Sequence, residues 1–204
     1  KRNEIKKLPE TVDGYTIKVF DDPEQLDLEI TEKAKKTDSA LSRLIATYDW
    51  EYSSKAKRRF RKYWEVEIGA WHKPWNRELK SELSQKEKRQ IKDLALAEQP
   101  QTINEVGSTF TIQGFDLNYA GVILGPSVKY RNGKVIYDPE KSCNDKAIQN
   151  RTLSDGSKQK FGEILIQHAV RVLMTRGVNG MFIYACDDEL REALKRATQR
   201  GETK

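Results

Sequence analysis

The residues best suited to chemistry lie in the segment STFTIQGFD, Ser108 to Asp116, and around Arg176 in RVLMTRG. Ser108 and Thr109 offer hydroxyls to phosphate oxygens, Gln113 a carboxamide and Asp116 a carboxylate that can hold a ribose hydroxyl. Between them Gly114 allows backbone to come close to a ligand. The plainer reading of the same residues is a turn, in which Gly114 supplies an unusual conformation and Asp116 caps the next element. Arg176 closes an amphipathic helix and then meets Gly177, so its side chain is rigidly aimed. A cation at a helix C-terminus is also favourable in itself, by about 0.3 to 1 kcal/mol.

Alternating β and α signals position these residues. YTIKVF, Tyr15 to Phe20, alternates as a strand, and Asp22 and Pro23 then form the N-cap and first residue of a helix. ALSRLIATYDW, Ala40 to Trp50, suits a buried strand, so the chain opens β, α, β. LNYAGVILG, Leu117 to Gly125, is a second buried strand, and Asn132-Gly133 marks a hairpin over 127–139. DPEKSCNDKAIQNRTLSDGSKQK reads as a polar loop. Ile164, Leu165, Ala169, Val172 and Leu173 recur at helical spacing between Phe161 and Arg176, with Gly177 as the helix stop. MFIYACD is the last buried strand and DELREALKRATQ the last helix, capped by Asp187 and Asp188.

Between about 51 and 101 the composition changes, and we expect an insertion within a single domain spanning 1–204. Lys55, Lys57, Arg58, Arg59 and Arg61 surround Phe60, Tyr63 and Trp64, and Trp71 and Trp75 follow. Such a cluster suits single-stranded nucleic acid, with aromatic rings stacking on bases and cations meeting phosphates. It equally suits a solvated basic face whose Trp side chains pack the insert down.

The chain has 204 residues, 37% of them hydrophobic and 33% charged, with a net charge of +6. That is enough apolar content for one core, and the positive balance favours an anionic partner. Cys143 and Cys186 are the only cysteines and have no metal-ligand spacing, which points to a reducing, cytoplasmic setting. No apolar run is long enough to span a bilayer. The chain does not open on Met, which suggests a cut or processed product.

In this order and on this framework, EVGSTFTIQGFDLNYAGVILGP and VLMTRG resemble motifs V and VI of superfamily I helicases. More closely, they resemble the Schlafen-type helicase-like group of bacterial predicted ATPases, a domain of unknown function. The match is tight over Glu105 to Pro126 and Val170 to Leu190 and looser over the first fifty residues. The resemblance implies a RecA-like α/β domain, the second of a pair, with a mainly parallel sheet flanked by helices. It implies that Gln113 and Gly114 sense the terminal phosphate and that Asp116 faces the ribose. Arg176 would be an arginine finger, a group worth about 10³ to 10⁵ in rate. Ser108 or Thr109 would touch a nucleic-acid phosphate, and Thr175 would link the two sites. Arg43 is a possible second phosphate contact or a surface ion pair. Phe110 stands where many relatives carry His, and Asp116 where they carry Glu.

No glycine loop ending in Lys and Ser or Thr accompanies these motifs, and such a loop is what wraps phosphates and binds Mg²⁺. GVILGPSVK lacks that ending. ATP and Mg²⁺ are therefore expected in the complete parent protein, between this domain and a preceding RecA-like one, with neither held tightly by this chain. DNA or RNA, single-stranded, is the expected partner. The other readings are a non-enzymatic nucleic-acid-binding module built on the basic, Trp-rich cluster, which includes Lys57, Arg58, Arg59, Arg61 and Trp64, and the motor part of a restriction or nuclease system. His168, on the amphipathic helix, reads as a core or boundary residue.

Overall fold

A computed structural model describes residues 3–6, 11–53, 61–152 and 154–199. Its elements, in chain order, are β1 (Thr11–Val12), β2 (Tyr15–Val19), α1 (Pro23–Ala34), β3 (Arg43–Ala46), β4 (Glu65–Ile68), β5 (Trp71–Pro74), α2 (Gln85–Gln90), β6 (Gly107–Ser108) and β7 (Leu117–Leu124). They continue with β8 (Val128–Arg131), β9 (Lys134–Tyr137), α3 (Asp145–Ile148), β10 (Asn150–Thr152), β11 (Lys158–Lys160), α4 (Gly162–Met174), β12 (Gly177–Ala185) and α5 (Asp188–Gln199). The main sheet runs β1-β2-β12-β7-β3-β6. Only β1 is antiparallel to its neighbour. The fold is thus mixed α/β, with a mainly parallel sheet flanked by helices.

Local chemistry explains the first crossover. The Asp22 carboxylate accepts from the Glu24 amide at 2.7 Å, and Pro23 supplies a first helical residue that needs no amide partner. One face of α1 then buries Leu26 and Ile30 against Leu44, Ile123 and Phe182. Burying each such side chain contributes roughly 1.5 to 3 kcal/mol. The helix comes this close because β7 carries Gly121 beneath it, where a Cβ would sit 2.6 Å from the Ile30 side chain. On the opposite face Ile166 and Leu173 of α4 and Leu190 and Leu194 of α5 cover Leu117, Val122 and Ile183.

Asn132 and Gly133, at φ 52° and 78°, form the tip of the β8–β9 hairpin, as the sequence predicts. Asp187 caps α5 through the Leu190 amide at 3.0 Å and also receives both guanidinium nitrogens of Arg131. Three expectations need correction. The polar stretch after the hairpin is not a loop throughout: it folds into a turn at Pro139–Lys141, α3 and the β10–β11 pair. Short-range caps, such as Asp138 on the Glu140 amide, organise part of it. His168 is exposed, because α4 turns Gly162, Ile166 and Leu173 inward and leaves Ile164 and Val172 outside with it. Gly177 is no helix stop. It begins β12, where a Cβ would lie 2.1 Å from the Gly180 carbonyl oxygen.

The stretch from Glu65 to Ser108 is laced into the sheet. β4 and β5 pair, Trp75 beyond them is fully buried, and the Asn76 amide donates to the Val106 carbonyl at 2.9 Å. In return the Val106 amide donates to the Pro74 carbonyl at 2.7 Å. Leu96 and Ala97 enter the core that contains Ile45 and Val122. Trp50, Trp64 and Trp71 pack around the Trp75 cluster and are partly buried.

Candidate functional site

Arg176 lies between α4 and β12, two parts of the chain that hold it from both sides. Its own carbonyl accepts from the Leu117 amide at 2.8 Å, which ties the start of β12 to the start of β7. The guanidinium folds over the helix end: Nε donates to the Val172 carbonyl at 3.1 Å and Nη1 to the Phe115 carbonyl at 3.4 Å. Nη1 also lies 3.2 Å from an Asp116 carboxylate oxygen. Of its nitrogens, Nη2 has no acceptor among the described residues. The two segments singled out in the sequence therefore meet, with Arg176 and Asp116 in direct contact.

Gln113 and Gly114 occupy the exposed turn that leads into Phe115 and Asp116. Gly114 has φ 78°, and a Cβ built on it would meet nothing within 4 Å, so the turn faces open space. Thr175 is exposed but its hydroxyl donates back to the Arg171 and Val172 carbonyls, at 3.0 and 3.2 Å.

Ser108 is placed differently from expectation. It is fully buried, its hydroxyl donates to the Asn76 side-chain oxygen at 2.8 Å, and it accepts from the Phe110 amide. The hydroxyl is consumed in shaping the turn and offers nothing to an outside phosphate. Thr109, next to it, is half-buried, and Phe110 is 54% exposed. The Phe110 ring stands edge-on to Tyr48 at 5.3 Å, and Tyr48 rests on Trp75 at 5.4 Å.

Arg43 is not at the surface, and it has no ion pair among the described residues. Its guanidinium is buried and bonded to Thr102 Oγ1 at 2.8 Å and to the carbonyls of Ala40, Ser42 and Ala97. Burial brings its pKa down to about 10. It thereby fastens the turns at 96–104 to the sheet, which corrects both readings drawn from sequence. Arg61 is paired with Glu65 and Glu67 at 3.1 and 3.6 Å, Lys62 pairs with Glu82, and Trp64 is partly packed. Lys57, Arg58 and Arg59 lie outside the described residues.

The sequence profile of the Schlafen group 3 DNA/RNA helicase domain matches residues 1–187. The chain belongs to that family. An uncharacterized protein of Saccharomyces cerevisiae is 34% identical over 192 residues, covering 93% of this chain. The chain spans 38% of the length of that relative. Because that relative is eukaryotic, membership of this Schlafen group does not by itself place the chain in a bacterium. No solved structure matches the chain.

The arrangement joins a guanidinium with one nitrogen unengaged among the described residues to a turn that carries an exposed Gln113 and a glycine in open space. These groups can touch an anionic group along one edge and cannot wrap it. Among the described residues no group of three or more His, Cys, Asp or Glu is placed to hold a metal ion. Neither thiol is activated: burial pushes Cys143 up and Cys186 to about 12. No described helix is long and apolar enough to cross a membrane. Sequence reasoning assigned nothing to Glu105 and Phe115. The Phe115 contribution is a backbone carbonyl, for which no residue type is a signal. Glu105 was visible only as the first letter of EVGS, and it proves to be a fully buried carboxyl.

Proposed function

We propose that this chain is the second, RecA-like half of an ATP-driven nucleic-acid motor, and that it contributes Arg176 to a nucleotide site completed by a preceding RecA-like domain. The observation that carries the reading is the contact between Arg176 and Asp116, contributed by separate segments at the starts of neighbouring strands. Family membership supports the motor class. ATP, bound with Mg²⁺ mainly by the other domain, supplies the phosphoryl group that is transferred. Arg176 presents its free nitrogen to the charge that develops on that group, and Gln113 and Gly114 line the approach. DNA or RNA meets the chain near Thr109 and the exposed ring of Phe110. A cytoplasmic setting suits two unpaired, poorly ionised thiols.

ATP hydrolysis tests this directly. The isolated chain is expected to turn over no ATP. The full-length protein is expected to do so, and Arg176→Ala to lower its kcat by about 10³-fold or more. Turnover by the isolated chain that Arg176→Ala abolishes overturns the half-site reading, and a full-length R176A enzyme with normal kcat overturns the finger.

A further inference from the structure

We infer that Asp116 is a positioning residue for Arg176 and not a contact to the ribose. The inference rests on the finger reading above and refines it. A guanidinium carries five N–H donors in a planar fork, so fixing two of its nitrogens fixes the direction of the third. Here Nε is held by Val172 and Nη1 by Phe115 and Asp116. The Asp116 carboxylate is the one charged group in that set, an ion pair with Nη1 at 3.2 Å whose attraction draws the guanidinium toward it. Only Nη2 remains for a ligand, and the side chain is 22% exposed, enough for one edge to be reached.

Both backbone carbonyls in the set lie in or next to regular structure. Val172 is in the last turn of α4, and Phe115 immediately precedes Asp116 at the entry to β7, which is bonded to the Arg176 carbonyl. Asp116 is thus mounted at the entry to the strand that neighbours the finger's own strand. One of its oxygens, Oδ1, faces the guanidinium, while the side chain as a whole is 62% exposed. A shorter side chain also suits this role, because an Asp on the residue after Phe115 reaches Nη1 with fewer rotatable bonds to freeze than a Glu.

Two measurements on the full-length protein test the idea. In steady-state ATP hydrolysis, Asp116→Asn is expected to lower kcat by about 10- to 100-fold, the scale of a misplaced catalytic group. KM is expected to stay unchanged, and ATP and 2′-deoxy-ATP to be affected equally. In an Arg176→Ala background the same change should cost nothing further. The second measurement needs no nucleotide: modification of Arg176 by phenylglyoxal, mapped by mass spectrometry, should run severalfold faster in D116N than in the wild type. A defect confined to KM, or larger for one of the two nucleotides, assigns Asp116 to the nucleotide and overturns the inference. Unchanged labelling overturns it too. If instead R176A leaves hydrolysis intact, the finger reading itself has failed, whatever D116N does.

Discussion

At the scale of single residues, Glu105 is the group whose ionisation matters most for the folded state. One carboxylate oxygen accepts from the Leu79 amide at 3.1 Å, while the other is buried with no hydrogen-bond partner. Burial is the main cause that pushes this carboxyl up to about 7, with Glu78 adding to it and Arg77 opposing it. Between its ordinary range and about 7, the native state therefore holds a proton that the unfolded chain has released. Stability from this group is present at low pH and falls as pH rises through that window. Glu105→Gln keeps the acceptor for Leu79 and removes the charge. The variant is expected to match the wild type near pH 5 and to exceed it at pH 8 by roughly 2 to 3 kcal/mol. Urea midpoints at the two pH values measure this, and parallel pH dependence in both proteins would contradict it. Asp49, which burial also raises, is common to both proteins and cancels from the difference.

At the scale of elements, the junction from α4 to β12 shows what was legible in the sequence and what was not. Signals contained within a few neighbouring residues came through: Asp22-Pro23 starts α1, and Asn132-Gly133 turns the hairpin. Long-range constraints did not. Gly177 suggested a helix stop because glycine usually means local freedom, yet here it yields space to Gly180 at a register shift between β12 and β7. Arg43 suggested a phosphate contact because a cation in an apolar run invites a ligand, yet two of its partners, Ala97 and Thr102, lie more than fifty positions away in sequence. Ser108 failed for the same reason, since burial cannot be read from residue type. Arg176 and Asp116 meet because each lies at the start of one of two strands that pair in parallel. Gly177→Ala should therefore be costly, by about 1 to 3 kcal/mol or more from overpacking against the backbone. Gly133→Ala, where a Cβ meets nothing within 4 Å, carries only the left-handed backbone penalty of about 1 kcal/mol. Denaturation midpoints rank the two, and equal losses would count against close packing at the junction.

Across the whole molecule, a net charge of +6 coexists with extensive internal pairing of the described cations. Arg61, Lys62, Lys73, Arg131 and Lys195 all face carboxylates. An anionic polymer would thus draw on cations left outside those pairs, and its bases on an aromatic surface that is held in place. Phe110 meets the second requirement: it is exposed, and the Tyr48 and Trp75 rings beneath it run down to the core. Single-stranded DNA or RNA is expected to bind the protein without nucleotide and to weaken with salt, log K falling by about 0.7 per released phosphate contact for each unit of log salt. Phe110→Ala should cost about 1 to 3 kcal/mol of that binding, the value of one stacked base, while leaving the salt slope unchanged. Replacing Lys57, Arg58 and Arg59 together by Ala should do the reverse, flattening the slope. Fluorescence anisotropy across a salt series separates the two terms. If Phe110→Ala binds as the wild type does and the triple variant loses everything, the basic segment alone makes the contact. If the protein fails to bind at low salt, the positive charge serves solubility, and the nucleic acid must be gripped by the rest of the parent protein.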